Sequence, residues 1–291
     1  MAAELLKPVA EAIHANVLRA HLTQVDDTGI RVLDADTPEG SRRGHLWGMV
    51  GDGVWASYRY TKTWTGAEML PFLKDRVGWL QGDGYAGYEQ LYRKDPPAVE
   101  VGCWSHARRY FVKAEESGDK RARRALIHIG ALFAIEAQAT NDGLDAEGRL
   151  RLRQERCPEP LRQLQETVGR LAPGVTPASP LGRAHTYLTN QWKALNRFRE
   201  DGRLPLENGA AERLARIVAV GRKNWLHCGS DEGAARYAVL ATVLTTARFQ
   251  HADLAQGLAW TFDHLARRDY NADDAVDLLP DRWPKEKSTG P

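Results

Sequence analysis

Residues 22–34 read LTQVDDTGIRVLD, and residues 45–61 read HLWGMVGDGVWASYRYT. The first is a β-rich run. The second divides into two strands at Gly51-Asp52-Gly53, residues that readily supply the positive φ angles of a tight hairpin. Downstream, the pattern predicts a helix near Gly66–Asp75, a short strand ending at Gln81, a helix near Gly87–Arg93 and a strand AVEVGCW over 98–104. Three strands, a helix, a strand, a helix and a strand make a mixed five-stranded sheet with helical cover, an α/β fold.

Beyond His106 the pattern turns helical to about Arg199. RRALIHIGALFAIEAQA spaces Leu126, Ile129, Phe133 and Ala137 by threes and fours, which predicts a helix buried along that stripe. Helices near 145–156 and 159–171 follow, separated at Cys157-Pro158 and closed by LAPGVTPASP. Ser179-Pro180 opens another, with serine as N-cap and proline in the first turn. A further helix is expected to start after Asn208 and end at Gly221. Two more run to about Arg268, and the terminal Ser288–Pro291 is expected to fray.

At 291 residues the chain can form one large domain or two modest ones. No apolar run approaches the roughly 18 residues of a membrane span, and the N-terminus lacks a signal-peptide core. Cys103, Cys157 and Cys228 are odd in number and widely spaced, which argues against a disulfide framework and for a cytoplasmic protein. The net charge is only +2, but it is unevenly distributed. Lys+Arg against Asp+Glu is 11 to 14 over residues 1–100, 22 to 14 over 101–224 and 7 to 10 over 225–291. A basic middle suits a face presented to a polyanion, and equally a set of solvated, arginine-rich helices.

Three local patterns carry candidate chemistry: VDDTG at 25–29, GDGYAGY at 82–88, and ENGAAER followed by GRKNWL across 207–226. With GCWSHARRYF at 102–111 and a closing LLPDRW, they resemble the insertion-sequence-sixty-six family of transposases. The order of motifs is unbroken from about residue 20 to residue 283. The resemblance implies a ribonuclease-H-like fold with a DDE triad: the first Asp in the opening strand, the second just after the fourth strand, the Glu on a late helix. Carried onto this chain these are Asp26, Asp83 and Glu212. The implied organisation is a core first part at 1–118, a helical insertion at 119–200, the rest of the core with the Glu helix at 201–250, and a C-terminal helical segment at 251–291. Where the family usually has Asp-Glu-Thr this chain has Asp26-Asp27-Thr28, which leaves open which Asp is the first catalytic carboxylate.

Three carboxylates suit two hard divalent ions, Mg²⁺ with Mn²⁺ as substitute, about 3.5–4 Å apart in an in-line phosphoryl transfer. Gathered without a cation, the three would repel one another. Each also has a plainer explanation. VDDTG can stabilise a turn, Asp83-Gly84 is an ordinary turn dipeptide, and Glu212 can pair with Arg216 one helical turn on. Arg213 and Arg216 flank Glu212, and Arg222 and Lys223 follow the expected helix end, where they can meet DNA phosphates. Trp225 can stack on a base or pack in the core. His106, Arg108 and Arg109 join the DNA-binding candidates. Cys103 is expected buried at the end of the last strand, and Cys103 with His106 is too small a set for zinc unless His227 and Cys228 fold near.

These features together predict metal-dependent cleavage of insertion-element ends and strand transfer into target DNA. The partners implied are DNA, further copies of the chain assembled on it, and accessory proteins of the same element, with no membrane. Two alternatives remain: a nuclease of the same fold that does not join ends, and a truncated relic or competing partner. The second arises because the family's longer N-terminal portion, with a coiled-coil-like segment and a zinc-binding DNA-recognition module, is not seen here.

Overall fold

The computed structural model describes residues 2–171, 174–267 and 272–285; the expected fraying of Ser288–Pro291 lies outside them. The chain is mixed α/β, with a five-stranded mixed sheet and, among the described residues, eleven α-helices. It divides into two compact units. The first comprises Met1–Leu80, Tyr85–Val99 and Gly209–Pro291, and the second Gln81–Gly84 and Glu100–Asn208.

The first unit opens with α1 (Ala2–Arg19), a helix the sequence reading did not assign. Leu6, Val9, Ala10, Ile13 and Val17 fall at helical spacing and are all buried, whereas Pro8 inside the helix is a signal against it. Then come β1 (Leu22–Leu33), β2 (Ser41–Gly51), β3 (Trp55–Thr61), α2 (Gly66–Leu73), β4 (Gly78–Gln81), α3 (Glu89–Arg93) and β5 (Ala98–Val101). The sheet order is β3-β2-β1-β4-β5. The β2–β3 hairpin turns on Asp52 and Gly53, both at positive φ (49° and 75°). The Asp52 carboxylate pins the turn by accepting the backbone N–H groups of His21 and Leu22, each at 2.9 Å.

Strand alternation sorts β1 and β2 cleanly. Val25, Trp47 and Met49 pack with Val17 of α1 and with Met69, Leu73, Leu80 and Tyr88. Ile30, Val32, Leu46 and Val50 pack on the other side with Leu214 and Val218 of α9 (Gly209–Trp225) and Ala234 and Ala238 of α10 (Asp231–Phe249). Of these buried positions, the even-numbered ones therefore face α9 and α10, and the odd-numbered ones face α1 and α2. The outer edge of β3 is covered rather than left open. Thr242 Oγ1 accepts the Tyr58 N–H at 2.8 Å, and Thr246 Oγ1 both accepts the Ala56 N–H (3.0 Å) and donates to the Ala56 carbonyl (2.9 Å). A covered edge cannot template pairing with another strand. The unit closes with α11 (Leu254–Leu265) and 3-10 turns that bring Trp283 onto Gly257, where any side chain would collide with the indole.

The second unit is helical: α4 (Trp104–Glu116), α5 (Ala122–Asn141), α6 (Ala146–Arg156), α7 (Pro158–Leu171) and α8 (Pro180–Asn196). Ser179 caps α8 as expected, its hydroxyl accepting the Gly182 N–H at 3.0 Å. Arg153, only 1% exposed, anchors the unit. It donates to both Glu136 oxygens and to the Phe198 carbonyl, and its guanidinium lies over the Phe198 ring.

Three sequence expectations are corrected. The last strand stops at Val101, and Cys103 is instead the N-cap of α4. The buried stripe of α5 is Ala122, Ala125, Ile129, Leu132, Ile135 and Ala139, so Ala137 is exposed and Leu126 and Phe133 are half-buried. Small alanines turned inward let α5 approach α4 and α7 closely, and the larger side chains take the flanks. Finally, α9 continues to Trp225, so Gly221 is a helix-interior residue and Arg222 and Lys223 lie on the helix, not after it.

Candidate functional site

Asp26 and Asp27 sit near the middle of β1, and the strand's alternation sends them to opposite faces. Asp26 pairs across the ladder with Gly48, and Gly48 with Tyr58 of β3, so all three share one face. That face carries α9. A Cβ on Gly48 would meet Leu214 Cβ at 2.9 Å, and the Tyr58 hydroxyl donates to the Leu214 carbonyl at 3.2 Å. Leu214 is two residues from Glu212, which lies half-buried in the first turn of α9. The first unit thus sets Asp26 on the sheet face that the Glu212 helix covers.

Asp27 is committed elsewhere. His45 Nδ1 lies 2.7 Å from its Oδ2, and the Trp64 indole N–H donates to its Oδ1 at 3.1 Å. Trp64 in turn packs on Tyr85, with ring centroids 4.5 Å apart. The sequence could not choose between the two aspartates because both faces of β1 mix polar and apolar residues. The missed signal is Gly48: a glycine inside a strand often marks close approach of another element.

Asp83 belongs to the second unit, two residues beyond the end of β4. Gln81 fixes that strand end by donating to the Gly102 and Pro205 carbonyls at 3.1 and 3.0 Å. Gly84 follows at φ 82°, where a side chain would strike Gln191 of α8. Burial pushes the Tyr187 hydroxyl of α8 well above the usual tyrosine range, and the charges of Cys103 and Asp83 add to the effect. Cys103 is fully buried and its Sγ accepts the Asn208 N–H at 3.2 Å. Glu207, the other acid of the ENGAAER motif, is exposed and takes a hydrogen bond from the Ser105 hydroxyl.

The basic candidates separate. Arg213, Arg216 and Lys223 are exposed on α9, and Arg108 and Arg109 are exposed on α4, whose first turn holds the half-buried His106. Arg222 is half-buried: its Nη1 donates to the Gly29 carbonyl and lies 3.4 Å from Thr28 Oγ1, tying α9 to β1. Trp225 packs on Tyr237 with ring centroids 5.5 Å apart. In the second unit much of the positive charge is paired at short range, as in Arg151–Glu147, Arg162–Glu159 and Arg203–Asp201. The basic middle of the sequence is in good part a set of ion-paired helices.

The carboxylates of Asp26 and Glu212 are hard oxygen donors, the kind of ligand that Mg²⁺ and Mn²⁺ take. No helix among the described residues is long and apolar enough to cross a membrane.

The profile of the transposase IS66 family matches residues 1–236. Two uncharacterized proteins of Sinorhizobium fredii (strain NBRC 101917 / NGR234), y4hP and y4jD, are 32% and 27% identical to the chain. Each alignment covers 96% of this chain, and 53% and 57% of the respective relative. A third, y4qI of the same organism, is 30% identical over 70% of this chain and 38% of its own. The chain spans about half the length of the first two of these curated relatives. No solved structure matches it.

Proposed function

The chain belongs to the IS66 transposase family, and on that footing we propose that it is the catalytic core of a DDE transposase built on a ribonuclease-H-like sheet. In this proposal Asp26, Asp83 and Glu212 are the triad, and residues 119–200 form a helical insertion between the second and third members. The observation that carries it is the common face of Asp26 and the Glu212 helix, with Asp27 turned away into hydrogen bonds with His45 and Trp64.

The three carboxylates would hold Mg²⁺ or Mn²⁺, which supply stabilisation of the charge developing on the attacking and leaving oxygens of an in-line transfer. Tyr58 and Leu214 set the seat of the Glu212 helix on the sheet. Arg213, Arg216 and Lys223 on α9, with His106, Arg108 and Arg109 on α4, contact phosphates of the DNA being processed. Water attacks the phosphodiester at the element's end, the P–O3′ bond breaks, and a 3′ hydroxyl is released. That hydroxyl then attacks a target phosphodiester and displaces the target's own 3′ oxygen, so one P–O bond forms for each one lost. Copies of the chain assembled on DNA would bring two ends to one target.

Strand joining by the chain on pre-cleaved element ends tests the proposal. Glu212→Gln keeps size and hydrogen-bonding capacity but removes the charge, so joining should fall by at least about 100-fold with the melting temperature unchanged. Joining that survives this substitution would refute the triad. Cleavage of intact ends without joining would make the protein a nuclease.

A further inference from the structure

A cleft of about 570 Å³ opens in the first unit at the far end of β1, lined by Gly29, Arg31, Arg42, Arg43, Arg222 and Leu226, with Glu39 at its rim. Its charges are arranged unusually. Arg31 and Arg43 are direct cross-strand partners on β1 and β2, both exposed, a like-charge pairing that is unfavourable unless something negative lies between. Among the described residues neither makes an ion pair with a carboxylate. The neighbouring Arg42 is different, being bound to Asp34 and Asp231.

The cleft is also held in shape. The Arg43 guanidinium lies across the backbone of Gly29, where any side chain would collide with it, and Arg222 grips the Gly29 carbonyl. At the mouth, Leu226 is 66% exposed and holds a left-handed backbone (φ 58°), which a leucine adopts only when its surroundings enforce it. The enforcement is visible two residues on. Cys228 donates its N–H to the Arg31 carbonyl (2.8 Å) and accepts the Leu33 N–H (2.9 Å), riveting the segment after α9 to β1. Two unpaired guanidiniums, a third fixed beside them and an apolar side chain held out over them match the chemistry of a phosphodiester backbone with its sugars and bases.

We infer that this cleft is a DNA-backbone site, in which Arg31, Arg43 and Arg222 bind phosphates and Leu226 packs against a sugar or base. The inference rests on the transposase proposal and adds a contact distinct from the triad. Gly29 is three residues along β1 from Asp26, about 10 Å, so the phosphates held here lie beyond the reacting one.

The test is equilibrium binding of the chain to a labelled duplex bearing a pre-cleaved element end, without divalent ions, over a salt series. The paired substitution Arg31→Ala, Arg43→Ala should weaken binding by at least about 10-fold and reduce the log–log salt slope by about two. Because the two charges face each other, its melting temperature should not fall. Glu39→Gln removes the acid at the rim and should tighten binding several-fold, a gain that misfolding cannot mimic. If the unmodified chain binds DNA while both variants bind with the same affinity and slope, the cleft assignment is wrong and the transposase proposal stands. If the unmodified chain binds no DNA, both fail.

Discussion

Gly48 and His14 show how single residues set the first unit. Gly48 has no side chain because Leu214 of α9 occupies that space, 2.9 Å from where a Cβ would sit. Gly48→Ala should therefore push α9 off the sheet, costing about 1–3 kcal/mol by overpacking. Joining activity should drop more than the stability loss explains, because the displaced helix carries Glu212; full activity in a destabilised variant would contradict that link. His14 is a pH sensor of stability. Its Nε2 donates to the Phe72 carbonyl (2.8 Å), and its Nδ1 lies 3.0 Å from the Ser57 hydroxyl, which donates to it when the ring is neutral. Burial, with the charge of Arg59, lowers its pKa from 6.5 to about 4. A base depressed on folding contributes stability that is full above pH 6.5 and is lost as pH falls toward 4. The loss is on the order of 2–3 kcal/mol. Urea unfolding at pH 7.5 and 4.5 should show the unmodified protein losing that much more than His14→Gln, and equal losses would contradict the assignment.

At the scale of elements, α10 closes the sheet edge through its two threonines. Thr242→Val keeps shape but strands the buried Tyr58 N–H, so it should cost about 1–3 kcal/mol, whereas Thr→Val at an exposed helix site should be nearly neutral. Equal melting temperatures for Thr242→Val and the unmodified chain would show that the edge is not held this way. Most elements were legible in the sequence: the hairpin from Gly51-Asp52-Gly53, α8 from Ser179-Pro180, the sheet from alternating runs. What was not legible depended on partners distant in sequence. Helix α1 hid behind Pro8. The α5 stripe was read on its larger side chains although alanines face the core. Gly221 looks like a helix end, yet α9 runs through it to Trp225, whose Nε1 would lie 2.9 Å from a Cβ on the glycine. The choice between Asp26 and Asp27 needed the identity of the helix over each face, which no local pattern contains.

For the whole chain, net charge was a poor guide to the proposed DNA contacts, since many arginines of the second unit are paired within or between its helices, and Arg31 and Arg43, which make no ion pair among the described residues, lie in the mildly acidic first hundred residues. Family membership rests on the profile match over residues 1–236, and the proposed chemistry rests on which carboxylate faces the Glu212 helix. The direct measurement is metal-dependent joining of pre-cleaved ends by Asp26→Asn and Asp27→Asn, compared at equal folded concentration. Asp26→Asn should abolish joining, by at least about 100-fold, with little change in melting temperature. Asp27→Asn should lose its ties to His45 and Trp64, lower the melting temperature, and retain joining within about 10-fold of the unmodified chain. The opposite pattern, with joining lost in Asp27→Asn and kept in Asp26→Asn, would contradict the account.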